Sequence, residues 1–125
     1  MTNAVSLRQL TLTVFNAMNT RDFSDLEQNI TDDVSFDFPG AGRIDGSKRV
    51  IIFLKALLRK YNRLTFQVSD IIEEKHKTCA VWTNDGEHIS GKPYSNSGIT
   101  LLYFTGDKIS FISDYFKDTS FVEIA

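Results

Sequence analysis

Asp114 is the residue of this sequence with the clearest chemical potential. It lies in the run 108–116, whose alternating residues are typical of a β-strand, and it shares one strand face with Ser110, Ile112 and Phe116. A carboxyl group among apolar side chains loses hydration, which raises its pKa towards values that suit a general acid or base. Proton abstraction next to a carbonyl group is the natural task for such a group. The alternative is a structural carboxylate that accepts hydrogen bonds and orders the sheet.

Two further sets of side chains are candidates for ligand contacts. Polar groups on neighbouring predicted strands can donate hydrogen bonds to a developing enolate; they are Tyr94, Asn96, Asn84 and Thr100. Aromatic side chains form either the wall of a ligand cavity or ordinary packed core, and they are Trp82, Phe36, Phe38, Phe53 and Phe15. Ten Phe, four Tyr and one Trp exceed what a plain core of this size needs, which favours a cavity.

No pattern in the sequence predicts a metal or a cofactor. His76 lies in a polar turn and His88 in a predicted loop, and neither has a histidine or acidic partner at ligand spacing. Cys79 lies in a predicted strand without a histidine nearby, so we expect an inert buried thiol. Glycine-rich phosphate loops are missing from the sequence, so nucleotide binding has no support.

Composition narrows the class of protein. A net charge of -2 argues against a dedicated nucleic-acid binder. The basic residues concentrate in 48–63 and the acidic ones in 22–37, which indicates solvated helix faces or, alternatively, a patch for an anion or a partner. The N-terminus lacks the pattern of a signal peptide, and no apolar run approaches the roughly 18 residues of a membrane span. With a single cysteine, these features predict a cytoplasmic protein that does not bind membranes.

Three helices are predicted from apolar residues at helical spacing. The first covers 5–19, the second begins at a cap formed by Asp22 with Asp25, and the third begins at Ser47 (or Asp45). The apolar face of the third helix extends to Tyr61.

Five strands are predicted from alternating or β-branched runs. They are 34–38, 64–71, 78–83, 98–104 and 108–116, with at most a three-residue extended piece in the loop 40–47 and a polar loop at 84–88. The last two strands form a hairpin around Gly106. Helices followed by grouped strands indicate a single α+β domain over residues 1–125, with the helices packed on one face of a mostly antiparallel sheet. Such a sheet is expected to curl into a cone that leaves a cavity under the helices.

The order of these elements and several motifs resemble the nuclear transport factor 2-like superfamily, and within it the SnoaL-like polyketide cyclases and ketosteroid isomerase-like proteins. The motifs that carry the resemblance are Asn19-Thr-Arg-Asp22-Phe, Thr31-Asp-Asp33 before Val34-Ser-Phe-Asp-Phe-Pro39, Gly46, Gly91-Lys-Pro-Tyr94-Ser-Asn96, Gly106-Asp-Lys-Ile109 and Asp114-Tyr-Phe116. The resemblance spans essentially the whole chain. It implies a small, mostly apolar ligand in the cone, and either an isomerase, cyclase, dehydratase or hydrolase activity or binding alone.

Few catalytic residues of these families are present at the matching positions of this sequence. The steroid isomerases' tyrosine, general-base aspartate and second acid fall at Val14, Phe38 and near Thr100, so their catalytic set is absent. Asp114 matches an aspartate of limonene epoxide hydrolase-like proteins, whose Arg-x-Asp falls near Val81 and Thr83.

These observations combine into one functional hypothesis and one rival. The hypothesis is a cofactor-free isomerase, cyclase or dehydratase that acts on a small apolar carbonyl compound through Asp114, with Tyr94 and Asn96 orienting the substrate. The rival is a non-catalytic module that binds a ligand or a partner protein. In either case we expect a homodimer, formed by the outer sheet face that carries Ile109, Phe111 and Tyr115.

Overall fold

The computed structural model describes residues 6–119, which form three helices and six strands. The helices are α1 (Leu7–Thr20), α2 (Ser24–Gln28) and α3 (Ser47–Leu58). The strands are β1 (Ile30–Phe38), β2 (Gly42–Asp45), β3 (Tyr61–Glu74), β4 (Lys77–His88), β5 (Pro93–Thr105) and β6 (Lys108–Phe116).

The six strands form one sheet in the order β2-β1-β6-β5-β4-β3. Only the β1–β6 pair is parallel, and the other pairs are antiparallel. Register shifts interrupt the pairing of β1 with β6, β3 with β4 and β5 with β6, and such irregularities bend strands and increase their twist. Helix α1 packs mainly on β3, and α3 packs on β1. The predicted α+β class is therefore confirmed, with the helices on one side of a curved sheet.

Helix α1 follows the periodicity seen in the sequence. It begins at Leu7 because the Ser6 hydroxyl accepts a hydrogen bond from the Gln9 backbone N–H at 3.4 Å. It ends where Arg21 takes a left-handed conformation, with φ of 63°. Its apolar stripe, which includes Val14 and Phe15, is buried against the sheet.

The caps of α2 and α3 differ from the prediction. Asp22 accepts hydrogen bonds from the backbone N–H and the hydroxyl of Ser24, at 3.0 and 2.7 Å, but α2 itself begins after Phe23. Helix α3 is preceded by Gly46, whose φ is 99°, and no side chain caps it. Asp45 instead accepts a hydrogen bond from the Ser35 hydroxyl across the β1–β2 hairpin, at 2.6 Å. The carboxylate that the sequence suggested as a cap for α3 is therefore bonded to a side chain of the neighbouring strand instead.

Strands β3 and β4 are longer than predicted. Tyr61, expected on α3, begins β3 and pairs with His88, while residues 84–88, expected as a loop, continue β4. A Cβ at Gly86 would overlap the backbone carbonyl of Arg63, so the glycine permits the close approach of β3. The continuation of β4 brings Asn84 into the sheet on the buried side.

A β-bulge in β6 changes the face of the strand on which Ile109 lies. Tyr103 pairs with Phe111, but the next residue, Phe104, pairs with Ile109, which leaves Ser110 as an extra residue in β6. The bulge reverses the alternation, so Ile109 points into the core and is 0% exposed. The prediction that Ile109 shares the outer face with Phe111 is therefore wrong.

Along residues 6–119, every helix falls short of the length and apolar character that crossing a membrane requires.

Candidate functional site

Three neighbouring strands place a chain of hydrogen bonds that ends at Asp114. In the register of the sheet, Asp114 on β6 pairs with Thr100 on β5. The Thr100 hydroxyl donates to Asp114 Oδ1 at 2.6 Å, and the indole Nε1–H of Trp82 on β4 donates to Thr100 Oγ1 at 2.9 Å. Gly98 makes room for this indole, because a Cβ there would lie 3.0 Å from the Trp82 ring.

Asp114 and Thr100 face a small cavity between the helices and the sheet. Its volume is about 30 Å³, well below the roughly 300–1,000 Å³ of typical ligand pockets. Apart from Asp114 and Thr100, every lining residue is apolar: Val14, Phe15, Met18, Phe36, Phe38, Leu54, Leu57, Phe66, Ile112 and Phe116. No other titratable side chain is among the lining residues.

This environment changes the acidity of Asp114. Burial of the carboxyl in apolar surroundings raises its pKa from 3.8 to about 7, and the hydrogen bond from Thr100 opposes part of that rise. The residue as a whole is half-buried, and its side chain lines the cavity. At neutral pH the group therefore exists in both its protonated and its ionised form, as proton transfer in both directions requires.

The aromatic candidates lie at different distances from the cavity. Three of them, Phe15, Phe36 and Phe38, line it together with Thr100 and Asp114. Trp82 is outside the lining and packs edge-on against Phe66 and Phe116, at ring distances of 5.1 and 5.2 Å. Phe53 is also outside and packs on Phe36 and Phe38, at 5.8 and 5.2 Å.

Tyr94 and Asn96 lie away from the cavity lining, towards the start of β5. The Asn96 carboxamide donates to the backbone carbonyl of Asp118 at 2.8 Å and accepts from the Asp118 N–H at 3.2 Å, so it fastens the chain that follows β6. It also donates to the Tyr94 hydroxyl at 3.2 Å. The Tyr94 ring packs on Tyr61 at 5.0 Å. Burial and the adjoining Tyr94 hydroxyl raise the pKa of Tyr61 above its ordinary value.

Asn84 has an unpaired buried oxygen. The residue is 5% exposed, and its Oδ1 and the hydroxyl of Thr31 are the buried side-chain atoms in residues 6–119 that lack a hydrogen-bond partner. Asn84 pairs with Asn96 on β5 and with Phe66 on β3, and it lies on the same inner face as Trp82. An unpaired buried polar atom costs roughly 1–3 kcal/mol, so an atom of this kind marks a place where a ligand or a water molecule can bind.

Of the lining residues on the helices, Phe15 was predicted as a site residue from the sequence and the other four were not, although a signal for them existed. Val14 and Met18 on α1, and Leu54 and Leu57 on α3, belong to the apolar stripes that helical periodicity identified. Periodicity shows which face of a helix is buried. It does not show which buried residues border an empty space.

Two other features of the surface lie apart from Asp114. An open groove of about 340 Å³ lies between α2, β1 and α3, and it is lined by Glu27, Ile30, Ser47, Lys48, Ile51, Ile52 and Lys55. None of these residues borders the Asp114 cavity. Cys79 is a half-buried free thiol, and burial raises its pKa. The described part of the chain brings together no group of three His, Cys, Asp or Glu side chains that would hold a metal ion.

Comparison with known proteins identifies similar sequences and folds. Residues 12–112 match the family model of the SnoaL-like domain. No functionally curated protein matches the chain significantly.

The solved structures that resemble the chain share its fold at low sequence identity. An NTF2-like protein of unknown function from Burkholderia pseudomallei has a TM-score of 0.84 and 17% identity over 98% of this chain and 97% of that one. TerC co-crystallized with polyporic acid has a TM-score of 0.82 and 15% identity, covering 93% and 95%. A hypothetical protein with a ketosteroid isomerase-like fold from Catenulispora acidiphila, in complex with trimethylamine, has a TM-score of 0.79 and 12% identity, covering 88% of this chain and 86% of that one.

Proposed function

Because this chain belongs to the SnoaL-like domain family, we propose that it binds a small apolar carbonyl compound at Asp114 and acts on it as a cofactor-free isomerase, cyclase or dehydratase. The observation that carries the proposal is the isolated carboxyl group in an apolar cavity, with a pKa of about 7. A group of that acidity can take a proton from a ligand and return it in the same catalytic cycle.

The proposed step is a proton transfer at a carbon next to the carbonyl group. The ionised Asp114 takes the proton, the electron pair of the broken C–H bond forms a C=C bond, and the carbonyl π-electrons move to oxygen to give an enolate. Protonation of a different carbon by the same carboxyl group then gives the isomer. No electrons enter or leave the system, so the reaction needs neither an oxidant nor a reductant.

The hydrogen bonds in the site limit the kind of substrate. The Thr100 hydroxyl proton is already donated to Asp114, and the Trp82 N–H is donated to Thr100. Neither donor is free to stabilise an enolate in the manner of an oxyanion hole. The proposal therefore favours a substrate whose enolate is delocalised by its own conjugation, such as a 1,3-dicarbonyl or an aromatic ketone.

The end of the ligand remote from Asp114 would meet a second polar region. Asn84, Tyr94 and Asn96 lie on adjoining strands on the same side of the sheet as Thr100. Asn84 has a buried oxygen without a partner. In this proposal Asn84 accepts a hydrogen bond from the ligand, while Tyr94 and Asn96 orient the same end.

Ligand entry requires the cavity to enlarge. Phe116, at the end of β6, is half-buried, lines the cavity and packs on Phe38 and Trp82 at 5.4 and 5.2 Å. Its displacement would join the space at Asp114 to the outside. Two proteins with this fold have been solved with small molecules, polyporic acid and trimethylamine, which supports a small-molecule ligand for this chain.

The test compares the natural protein with Asp114→Asn on a set of conjugated carbonyl compounds. Ligand binding is followed by NMR chemical-shift changes, and proton abstraction by incorporation of deuterium from D₂O into the ligand. The proposal predicts catalysed exchange by the natural protein and a loss of roughly 10²–10⁴-fold in the variant, because that is the usual contribution of a general base. Binding should be retained. Equal exchange rates for both proteins with a bound ligand would overturn the catalytic proposal.

A second candidate function is ligand binding or protein interaction without turnover. The small volume of the cavity, about 30 Å³, favours it because the aromatic side chains already fill most of the space. Under this alternative, a ligand of the set binds, and the natural protein exchanges deuterium no faster than the uncatalysed reaction.

The proposal includes a homodimer formed through the outer sheet face. Three large side chains on β5 and β6 are exposed there: Ile99, Tyr103 and Tyr115 are 37, 39 and 54% exposed. Phe111 packs beside Tyr103, with ring centroids 5.2 Å apart. A second copy of the chain would remove this apolar face from water.

A further inference from the structure

We infer that Trp82 and Thr100 are positioning residues that fix the carboxyl of Asp114, so that Oδ1 is held in the sheet and Oδ2 alone exchanges the proton. Only the exchange of the proton at Oδ2 rests on the proposed function, because the fixed orientation of the carboxyl group requires no catalysis. It goes beyond the fold because it assigns different roles to the two oxygens of one carboxyl group.

The direction of the hydrogen bonds follows from the chemistry of the three groups. An indole N–H can only donate, so Thr100 Oγ1 must be the acceptor in its 2.9 Å contact with Trp82. A threonine hydroxyl has one proton to donate. That proton lies in the 2.6 Å contact with Asp114 Oδ1.

The same reasoning locates the proton of the neutral acid. If Asp114 carried its proton on Oδ1, that proton would point at Thr100 Oγ1, and the hydroxyl proton of Thr100 would lose its acceptor. No other polar side chain among the lining residues can replace it. Protonation on Oδ2 preserves both hydrogen bonds. Oδ2 is therefore the atom that carries the proton in the neutral acid and is free to accept one in the ionised form.

Packing in the core holds Trp82, the first donor in the chain of hydrogen bonds, in place. Trp82 is 1% exposed, lies between the rings of Phe66 and Phe116, and occupies the space left by the missing side chain of Gly98. Rotation of the indole would break its contact with Thr100 and overlap these neighbours. The direction of the Thr100 hydroxyl is thus set by the core, before any ligand binds.

Other groups near Asp114 cannot produce the same effect. The surfaces that face it from α1, α3, β1 and β3 contribute only aliphatic, aromatic and thioether side chains to the cavity. Substitution of Trp82 can therefore change the acidity of Asp114 by two routes, through Thr100 or by repacking of Phe66 and Phe116 in the cavity wall, and only the first route depends on the Thr100 hydroxyl. This dependence makes the inference testable by a double-mutant cycle.

The experiment measures the pKa of Asp114 by carboxyl NMR titration in the natural protein, Thr100→Val, Trp82→Phe and the double variant. Thr100→Val keeps the side-chain shape but removes the donor, so the pKa should rise by roughly one unit or more. Trp82→Phe should produce a smaller rise, because it removes the polarising donor to Thr100 but leaves the Thr100 hydroxyl bonded to Asp114. In the Thr100→Val background, Trp82→Phe should add nothing. Thr100→Ser, which keeps the hydroxyl, should restore the natural pKa.

Two results of the titration would overturn the inference. One is an unchanged pKa in Thr100→Val, and the other is a Trp82→Phe effect of the same size with and without the Thr100 hydroxyl. Because Trp82→Phe removes volume from the core, its fold is first checked by the amide NMR spectrum, and a second readout avoids that variant. Trp82 is the single tryptophan of the chain, so its indole N–H signal is assigned by inspection. That proton should be protected from solvent exchange, and its signal should shift in Thr100→Val; an unprotected, unshifted signal would also contradict the inference.

The cycle separates this inference from the proposed function. It is measured without a ligand, so absence of turnover alone would remove the catalytic role of Oδ2 and leave the positioning intact. If catalysis is found, Thr100→Val should move the pH at which the deuterium exchange rate rises, in step with the measured pKa.

Discussion

At the scale of single residues, three aspartates show how surroundings decide acidity. Hydrogen bonds from Ser24 hold the pKa of Asp22 below its ordinary value. A hydrogen bond from the Ser35 hydroxyl and a smaller effect of the Arg43 hydrogen bond lower the pKa of Asp45 in the same way. Asp114 also receives a hydroxyl hydrogen bond, yet its pKa rises to about 7 because the loss of hydration is the larger effect.

The raised pKa makes stability depend on pH. Since the folded value is about 7 and the ordinary value is 3.8, the folded state holds a proton that the unfolded state releases between those two values. Asp114 should therefore stabilise the fold least at high pH. The free energy of unfolding should fall between about pH 4 and pH 7 and stay constant above pH 7. At about 1.4 kcal/mol per pKa unit, the total fall is on the order of 4 kcal/mol.

Urea unfolding of the natural protein and of Asp114→Asn checks this, because all other ionisable groups are common to both. The variant should gain stability relative to the natural protein as pH rises from 4 to 7. A difference between the two proteins that stays constant over this range would show that the carboxyl group is not desolvated.

Asn84 offers a test of the second polar region. Its oxygen is buried without a partner, so Asn84→Leu, of similar volume, should leave the free energy of unfolding unchanged or raise it by up to about 1–2 kcal/mol. The same variant should bind a ligand of Asp114 about tenfold more weakly if the carboxamide contacts it. A strongly destabilised variant would mean that the carboxamide is satisfied by bound water and serves the fold.

The sequence predicted that Asp114 shares a strand face with Ile112 and Phe116, and all three line the cavity, because side chains alternate between the two faces where a strand is uninterrupted. It named Asn84 as a candidate hydrogen-bond donor but assigned residues 84–88 to a loop, whereas β4 continues through them. The run Asn84-Asp-Gly-Glu-His has the composition of a turn, and it is kept extended by pairing on both sides, with residues 61–66 of β3 and residues 93–96 of β5. Pairing with other strands therefore outweighs the local preference of these residues for a turn.

At the scale of elements, the β5–β6 hairpin positions the site. Its turn at residues 105–107 and both its strands were predicted from alternation and from Gly106, whose φ is 62°. The bulge at Ser110 was not predictable, because a bulge depends on which partner residue each position pairs with. Its consequence reaches beyond Ile109, since it sets the face on which Ile112 and Asp114 lie relative to the hairpin turn.

Gly98 tests the close contact between β5 and β6. A Cβ there would overlap the backbone oxygen of Tyr115 and lie 3.0 Å from the Trp82 ring. Gly98→Ala should therefore destabilise the protein by about 1–3 kcal/mol, the usual cost of overpacking, and should weaken the contact between Trp82 and Thr100. Thermal unfolding and the indole N–H signal measure the two effects.

Gly106→Asn is the matched control for Gly98→Ala. A Cβ at Gly106 would meet no atom within 4 Å, and asparagine tolerates the φ of this position. The substitution should therefore cost less than about 1 kcal/mol. Equal losses in the two variants would show that steric overlap at Gly98 is not the cause.

At the scale of the whole molecule, the outer sheet face carries the prediction of a homodimer. Ile99→Lys places a charge in that face, so it should weaken self-association by at least tenfold while leaving the fold intact. Sedimentation velocity across a range of concentrations measures the change. Ile52→Lys is the control, because Ile52 is 66% exposed on α3, away from the sheet.

Two outcomes would contradict the dimer. The natural protein would sediment as a monomer at every concentration, or Ile52→Lys would disrupt association as much as Ile99→Lys does. The second outcome would show that the effect of an added charge is not specific to the outer sheet face. The single domain and the cytoplasmic location expected from the sequence stay predictions.

The pKa of Asp114 in the natural protein decides whether this carboxyl group is suited to proton transfer. Carboxyl NMR titration gives the value, with Asp114→Asn used to assign the signal. We predict a pKa of about 7, because the carboxyl group faces an apolar cavity. A value at or below about 4, the range of a hydrated aspartate, would show a structural carboxylate and would contradict proton transfer at this site.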